Sequence, residues 1–229
     1  MYTLHIANKN YSSWSLRPWI MLRMAGIAFQ ETLHPFNPDG PSRPDFLAFS
    51  PSGQAPVLDD GAVKVWDSLS ILEYLAERHD GFWPADGEAR AWARSASAEM
   101  HSGFSALRGQ CAMSVGVQVR LARIDAALEA DLDRLAALWE QGLDRFGGPF
   151  LAGLDFTIVD AMFAPVAFRI RSYELAVGER AQAYAARVLA LPAMADWEAA
   201  ALAERFREPH HDAEIAAMGE ILEDRRVSP

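Results

Sequence analysis

Residues 50–79, SPSGQAPVLDDGAVKVWDSLSILEYLAERH, contain the local signals that decide the fold of the first half of the chain. Two apolar runs, residues 56–58 and 62–66, flank an Asp-Asp-Gly sequence, and such a turn between apolar runs is typical of a β-hairpin. Residues 68–78 then separate apolar from charged side chains with the period of an amphipathic helix. The stretch therefore predicts two antiparallel strands followed by a helix.

The residues that precede this hairpin predict a βαβ unit. Residues 2–6 alternate apolar and polar side chains, which indicates a strand, and residues 29–33 indicate a second strand. Between them, residues 15–25 have helical spacing, and Gly26 stands where a left-handed residue would end the helix. This order predicts parallel pairing with a right-handed crossover. The four prolines of residues 35–44 then predict a surface loop.

The two halves of the chain differ in amino-acid composition and in the spacing of their apolar residues. Residues 1–80 predict an α/β N-terminal domain of thioredoxin-like order, βαβ-ββα, with a four-stranded mixed sheet and helices on both faces. Residues 81–87 contain glycine and proline and are expected to be a linker. Residues 88–229 are rich in Ala, Leu, Arg and Glu and predict an all-α C-terminal helical bundle. Its clearest start signal is a capping box, Thr157 with Asp160, before an apolar run.

Composition excludes several classes of function. The net charge of −10 disfavours a nucleic acid partner. No apolar run approaches the roughly 18 residues of a membrane span, and MYTLHIANKN lacks the regions of a secretory signal. The one cysteine, Cys111, excludes an intrachain disulfide, so we expect a cytoplasmic protein. His210, His211 and Asp212 lack the spacing and further ligands of a metal site, so we expect solvated residues there and no metal.

Residues 11–15, YSSWS, are the most informative candidates for chemistry, because they stand between the first strand and the first helix. Ligands of such sheets gather at this edge, and a helix N-terminus favours an anion. One serine is enough to cap the helix, and three hydroxyls exceed that need. The alternatives are a helix cap alone or hydroxyls that stabilise a bound anion such as a thiolate.

Two more positions leave alternatives open. Pro56 either belongs to an edge strand or forms a cis bond with Ala55, which would turn the Ala55 backbone toward a ligand. Asp67 and Ser68 can simply cap the next helix. They can also bind an α-amino acid group, since a carboxylate accepts from an ammonium and a hydroxyl with helix amides binds a carboxylate.

Taken in order, these stretches resemble the glutathione transferase superfamily. The matching strings are SPSGQAPVLDDG, WDSLSILEYLAERH and FLAGLDFTIVDAMFAP, which correspond to the family's cis-proline loop, its γ-glutamyl-binding helix start and its helical-domain capping box. The resemblance spans nearly the whole chain. It implies a glutathione S-transferase that acts in detoxification, with glutathione as co-substrate and with a homodimeric assembly.

The stretch NYSSWSLRPW most resembles the serine-type classes of this superfamily, particularly zeta. That resemblance implies Ser12 as the catalytic serine, with Ser13 assisting. Tyr11 is the alternative, since other classes use a tyrosine near this point. The glutathione-binding residues implied by the resemblance are Gln54, Ala55, Pro56, Asp67 and Ser68.

The sequence departs from the zeta pattern in two places. Trp14 stands where that class has a cysteine, and Pro18 with Trp19 interrupts its arginine-containing helix pattern. A zeta-type maleylacetoacetate isomerase is therefore kept as an alternative to a transferase of unassigned substrate. A non-catalytic module that binds glutathione or another ligand is the second alternative.

The expected chemistry is activation of a thiol for attack on a small electrophile. A free thiol has a pKa of about 8.5, and a hydroxyl donor with a helix end can lower it by about one to two units. The electrophile pocket is expected between the domains. For its apolar candidates the alternative is packing in the core, and for its arginine the alternative is a surface salt bridge. Its candidate residues are Trp14, Met100, Phe104, Leu107 and Arg108.

Overall fold

The first half of the chain forms a four-stranded sheet with flanking helices in the computed structural model, which describes residues Met1–Pro229. Its elements are β1 (Tyr2–Ile6), α1 (Ser13–Met24), β2 (Phe29–Leu33), α2 (Arg43–Phe46), β3 (Val57–Asp59), β4 (Lys64–Trp66) and α3 (Ser68–Ala76). The strand order is β2-β1-β3-β4, with β1 parallel to β2 and antiparallel to β3. Strands β3 and β4 form the antiparallel hairpin. The predicted thioredoxin-like order with a mixed sheet is confirmed.

Side-chain caps fix where the two helices beside the sheet edge begin. Helix α1 starts two residues earlier than expected, because Ser12 caps it: the Ser12 Oγ accepts from the Ser15 N–H at 3.3 Å. Helix α3 starts at the expected residue, and the Asp67 carboxylate accepts from the N–H groups of Leu69 and Ser70. Both helix starts therefore point their amides at the same edge of the sheet.

Alternating side chains of the central strands cover both faces of the sheet. Leu4 and Leu58 belong to the large core together with residues of α1 and α3. Val57 lies in a smaller apolar cluster with Phe46 of α2. Because successive strand residues point to opposite faces, helices lie on both sides of the sheet.

The second half is helical, as expected. Its elements are α4 (Gly87–Ser102), α5 (Ser105–Gln110), β5 (Val117–Leu121), α6 (Ala126–Phe146), α7 (Ile158–Ser172), α8 (Glu179–Leu189), α9 (Pro192–Ala203), α10 (Pro209–Met218) and β6 (Gly219–Asp224). Helix α7 follows the capping box and is buried along nearly its whole length. None of these helices combines the length and the apolar character that crossing a membrane requires.

An antiparallel ribbon of β5 and β6 is an addition that the sequence did not indicate. In β5 the buried Val117 and Val119 alternate with the more exposed Gln118 and Arg120, which is the period of a strand. This alternation covers only four residues, which is too few to indicate a strand within a half of the chain that otherwise has helical spacing. The ribbon places the C-terminal strand β6 beside residues 117–121.

The two halves share one continuous hydrophobic core. Helix α1 packs on α7, and the core contains side chains of both. Phe82, in the segment expected to be a linker, is buried, and its C=O accepts from the Ile158 N–H at 2.9 Å. The domain limits at residues 80 and 88 stay a prediction, while the shared core holds the sheet and the helices at a fixed separation.

Asp160 ties the start of α7 to its neighbours. Its fully buried carboxylate accepts from the N–H of Leu151 at 3.0 Å and from the N–H of Thr157 at 3.0 Å. The Tyr184 hydroxyl donates to the same carboxylate at 2.8 Å. Burial raises the pKa of Asp160 to about 6, although the hydrogen bonds from these donors act to lower it. The capping box therefore connects three segments of the helical half.

We expect the substitution Asp160→Ala to lower the free energy of unfolding by at least about 3 kcal/mol, because three buried donors lose their acceptor and each costs about 1–3 kcal/mol. Urea denaturation measures this change. Asp155→Ala, an exposed aspartate nearby, is the matched control and should change stability by less than about 0.5 kcal/mol. Equal effects of the two substitutions would contradict the assignment.

Candidate active site

A cavity of about 990 Å³ lies between the sheet edge and the helical half. Its walls come from the start of α1, the loop before β3 and the start of α3 on one side, and from α4, α5, α7 and α10 on the other. The cavity brings together most of the residues that the sequence singled out. They are Ser12, Ser13, Trp14, Gln54, Ala55, Pro56, Asp67, Ser68 and Arg108.

The two serines at the start of α1 differ in their hydrogen bonds. The Ser12 hydroxyl donates to the Ser15 Oγ at 2.8 Å while it caps the helix. The Ser15 Oγ in turn accepts from the Ala7 N–H at 3.1 Å. Ser13 is the first residue of α1, and its hydroxyl makes no hydrogen bond within the protein. Two hydroxyls and the helix N-terminus thus face the cavity, an arrangement that favours an anion.

The loop before β3 presents an unpaired backbone edge to the cavity. The Ala55–Pro56 bond is cis, as one of the two sequence alternatives proposed. Neither the N–H nor the C=O of Ala55 has a hydrogen-bond partner in the protein, although the strand begins two residues later. The Gln54 N–H donates to the Ser50 Oγ at 3.1 Å, which holds the loop in place. An extended ligand can pair with the free edge as an added strand does.

The start of α3 carries a cap and an unused hydroxyl. Asp67 has a φ of 72°, and its Oδ1 accepts from the Leu69 N–H at 2.9 Å. Its other oxygen lies 3.2 Å from the Nε2 of His101. The Ser68 Oγ is buried and has no hydrogen-bond partner in the protein. A buried polar atom without a partner is costly, so this hydroxyl is suited to a ligand that enters the cavity.

His101 was missed by the sequence analysis, which gave no role to a lone histidine on a helix. It reaches from α4 to Asp67 and lines the cavity. Its ring also meets the Trp14 ring edge-on, with centroids 5.4 Å apart. Asp67 and His101 are 34 positions apart on elements of different halves, so no local pattern signalled the contact.

The Tyr11 hydroxyl forms hydrogen bonds with residues of the C-terminal segment. It donates to the Asp212 Oδ1 at 3.0 Å and accepts from the Arg226 Nη1 at 2.9 Å. The Glu208 N–H also donates to it, at 3.3 Å. Burial raises the pKa of Tyr11 to about 12. This phenol therefore has no free proton to offer to a ligand in the cavity.

Helix α10 forms one wall of the cavity, where His210 is exposed as expected and His211 is only partly exposed. Both histidines line the cavity, and the His211 Nδ1 lies 2.6 Å from a Glu208 oxygen. The His211 ring packs near Phe36, with centroids 5.3 Å apart. The reason is the ribbon, because β6 pairs with β5 and draws α10 across the sheet edge. No cluster of potential metal ligands is found in the protein.

Three of the expected electrophile-pocket residues lie elsewhere. Met100, Phe104 and Leu107 are at most 5 % exposed and belong to the hydrophobic core, not to the cavity lining. Met100 on α4, Leu107 on α5 and Phe104 just before α5 turn toward the other helices, where Phe104 meets the edge of Phe163. For these three the core alternative is correct. Trp14 and Arg108 do line the cavity.

Cys111 is not a nucleophile of this site. It is fully buried and absent from the cavity lining. Burial raises the pKa of its thiol to about 12, so the thiolate is scarce at neutral pH.

Most of the known proteins to which the chain is similar are named glutathione S-transferases. Residues 11–78 match the family described as glutathione S-transferase, N-terminal domain. The chain is 26% identical over 162 residues to the glutathione S-transferase-like protein OpS6 of Beauveria bassiana, which covers 65% of this chain and 72% of that protein. It is 39% identical over 70 residues to a maleylacetoacetate isomerase of Rhizobium meliloti, which covers 31% of this chain and 33% of that protein.

Solved structures show the same fold. A theta class glutathione S-transferase from Xanthomonas axonopodis pv. citri, with glutathione bound, superposes with a TM-score of 0.63. The two chains are 24% identical, and the match covers 85% of this chain and 95% of the other. The likeness therefore extends over both the sheet and the helices.

We expect Tyr11→Phe to loosen the α10 wall, because Asp212 and Arg226 lose a shared buried partner. The free energy of unfolding should fall by about 1–3 kcal/mol in urea denaturation. Hydrogen exchange of the α10 amides should become faster than in the wild type. Tyr2→Phe, which removes a part-buried hydroxyl bonded to His79, is the control and should leave α10 exchange unchanged. Unaltered α10 exchange in Tyr11→Phe would contradict this role.

Proposed function

We propose that this chain, whose residues 11–78 match the glutathione S-transferase N-terminal domain, is a glutathione S-transferase in which Ser12 activates the thiol of glutathione for attack on a small electrophile. The observation that carries the proposal is the convergence of three features on one cavity. They are the hydroxyls at the start of α1, the free Ala55 backbone edge and the unpartnered Ser68 hydroxyl at the start of α3.

These three features complement an anionic tripeptide that carries a thiol. The start of α3 suits an α-amino acid end, because the Ser68 hydroxyl and the first amides of the helix can donate to its carboxylate. Asp67 supplies a carboxylate oxygen for the ammonium. The Ala55 edge pairs with the central peptide, and Gln54 can bind the glycyl end. This arrangement would carry the sulfur toward Ser12.

Bound glutathione supplies the nucleophilic sulfur, and the protein favours its thiolate form. The Ser12 hydroxyl is too weak an acid to act as a base, so its role is to donate a hydrogen bond to the sulfur. The Ser15 hydroxyl stands 2.8 Å away and can donate to the Ser12 Oγ when the Ser12 proton turns to the ligand. Ser15 is thus proposed as a positioning residue. The α1 N-terminus adds a partial positive charge beside the same anion.

The hydrogen bonds of the neighbouring residues favour Ser12 over Tyr11. The Tyr11 proton is donated to the Asp212 carboxylate, which has no proton to give in return. The Ser12 proton is donated to the Ser15 hydroxyl, which can donate in its place. Ser13 has a free hydroxyl at the first position of α1 and is proposed to assist as a second donor.

We expect Ser12→Ala to raise the pKa of the bound glutathione thiol by about one to two units, because the thiolate loses a charge-assisted hydrogen bond. The ultraviolet absorbance of the thiolate, titrated in the enzyme–glutathione complex, measures this pKa. The value of kcat/KM for an activated aryl halide at neutral pH should fall about ten- to a hundredfold. Loss of the cap costs only about 1 kcal/mol, so the variant should fold.

Two further variants separate the roles of the serines. Ser12→Thr keeps both a hydroxyl and a good N-cap and should restore most of the thiol ionisation. Ser95→Ala, an exposed serine on α4, is the control for a simple loss of one hydroxyl. If the thiol pKa rises in Ser13→Ala and stays unchanged in Ser12→Ala, Ser13 is the activating residue. An unchanged pKa in both variants would remove serine activation altogether.

We expect Ser68→Ala to weaken glutathione binding about tenfold or more, because a hydrogen bond to a carboxylate is worth about 1.5–3 kcal/mol. Titration calorimetry measures the Kd. The variant leaves no protein group without a partner, since the Ser68 hydroxyl has none. Ser70→Ala, exposed on the same helix, is the matched control. A glutathione analogue amidated at the γ-glutamyl α-carboxylate should bind the wild type and Ser68→Ala with equal Kd. A difference in Kd that persists with this analogue would contradict the proposed contact.

A maleylacetoacetate isomerase is the second candidate, favoured by the 39% identity to the Rhizobium meliloti protein. That match covers only a third of the relative, and Trp14 fills the position of a cysteine in zeta proteins. We therefore rank the transferase first. Direct assay with maleylacetone decides between them. The zeta-like subclass, the homodimer, the role in detoxification and the cytoplasmic location stay predictions.

A further inference from the structure

Three arginines lie at the cavity without an acidic partner: Arg108 and Arg169 line its helical wall, and Arg17 packs behind Trp14. Arg17 of α1 and Arg169 of α7 are 1 % and 5 % exposed, while Arg108 of α5 is half-buried. None of the three forms a salt bridge. Buried arginines are ordinarily paired with carboxylates, so this group is unusual.

Only neutral carbonyls satisfy these guanidinium groups. The Arg17 Nε donates to the Met162 C=O at 3.1 Å, and its buried Nη1 has no partner. The Arg169 Nη1 donates to the C=O groups of Cys111 and Arg108. The Arg108 Nη1 donates to the His101 C=O at 3.3 Å. Carbonyl dipoles orient the arginines and leave their charge uncompensated.

The mutual repulsion is visible in the pKa values. Burial, followed by the charges of Arg169 and Arg108, lowers the pKa of Arg17 to about 9. Burial together with Arg108 lowers the pKa of Arg169 to about 10. Asp67 is the one carboxylate that acts on Arg17, and it already faces His101. The helical wall therefore presents Arg108 and Arg169 to a ligand in the cavity.

Trp14 connects the arginines to the thiol-activating serines. The Arg17 guanidinium lies 4.2 Å from the centre of the Trp14 ring, and the Arg108 guanidinium lies 5.5 Å from it. Trp14 follows Ser12 and Ser13 directly and lines the same cavity. The proposed contacts of glutathione use α3 and the loop before β3, which leaves the arginine wall to the other reactant.

We propose that the electrophile carries a carboxylate, which Arg108 and Arg169 bind while its reactive carbon lies over Trp14 beside the sulfur. This inference rests on the proposed function and names the substrate class of that site. With an activated aryl halide, the thiolate sulfur forms a bond to the ring carbon and the carbon–chlorine bond breaks. The chloride leaves with the bonding pair, and the thiol proton has already passed to solvent. The carboxylate is a spectator that binding holds in place.

The test compares two ligands that differ in one charge. They are the glutathione conjugate of 4-chloro-3,5-dinitrobenzoate and the conjugate of its methyl ester, and titration calorimetry measures both Kd values. We expect the carboxylate conjugate to bind at least about tenfold more tightly, since hydrogen bonds to charged groups are worth about 1.5–3 kcal/mol. The two aryl chlorides then serve as substrates, and each kcat/KM is divided by the uncatalysed rate constant with glutathione thiolate, because the ester is intrinsically more reactive. This ratio should favour the carboxylate by a similar factor.

Variants assign the preference to the arginines. Arg108→Gln should remove most of the preference for the carboxylate, while the Kd of glutathione alone changes less than about twofold. Arg108→Lys keeps the charge and should retain part of the preference. Arg169→Lys provides a second test at the buried position without removing its charge. Arg123→Gln, an exposed arginine outside the cavity, is the control and should behave as the wild type.

The outcomes separate this inference from the proposed function. Equal binding of the two conjugates by the wild type overturns the carboxylate subsite while the transferase assignment stands. A preference that persists in Arg108→Gln and in Arg169→Lys also overturns it. If glutathione itself binds more weakly in Arg108→Gln, the arginine serves glutathione and the subsite assignment is wrong. If neither glutathione nor either conjugate binds the wild type, the proposed function fails.

Discussion

The packing of α1 against α7 is the contact on which the site depends. Arg17 of α1 donates to the backbone of α7 at Met162, and the apolar side chains of both helices lie in one core. This contact sets the N-terminus of α1, with Ser12, opposite the helical wall that carries Arg169. Without it the sheet would still have a ligand edge, but the cavity would lack its second side. Chemistry between two reactants requires both sides at a fixed distance.

The lining of the cavity contains as many arginines as carboxylates, although the chain as a whole is acidic. The chain carries a net charge of −10, which keeps polyanions away from its surface. Inside, Arg108 and Arg169 have no acidic partner on the helical wall, and the α1 N-terminus adds a partial positive charge on the facing side. Glu208 and Glu214 lie on the α10 wall, at the other side of the cavity. A small anion that enters is therefore held by local charges that the bulk composition does not reveal.

Local signals in the sequence were enough to predict the sheet and the positions at its edge. The hairpin around Gly61, the cap at Asp67 and the capping box of Thr157 each depend on neighbours within a few residues. The same local signals identified Ser12 and Ser68 as candidate site residues. Whether Ser12 or Ser68 performs its proposed role is left to the binding and ionisation measurements.

The other walls depend on contacts between distant positions, which one sequence does not disclose. His101 reaches Asp67 across the two halves, and Arg169 meets the cavity from the last turn of a buried helix. Met100 and Leu107 lie in the core because neighbouring helices cover them, although their helical spacing alone suited either place. The β5–β6 ribbon was missed for the same reason, since its pairing joins positions about a hundred residues apart.

The ribbon has a consequence for the order in which the molecule is made. A ribosome releases Tyr11 and Ser12 early, whereas Arg226, which bonds the Tyr11 hydroxyl, emerges 215 residues after Tyr11. The sheet and α1 can form during synthesis, but α10 reaches the sheet edge only after the ribbon closes. Until then the ligand edge of the nascent chain is open to solvent, and the finished cavity exists only once translation has passed residue 226.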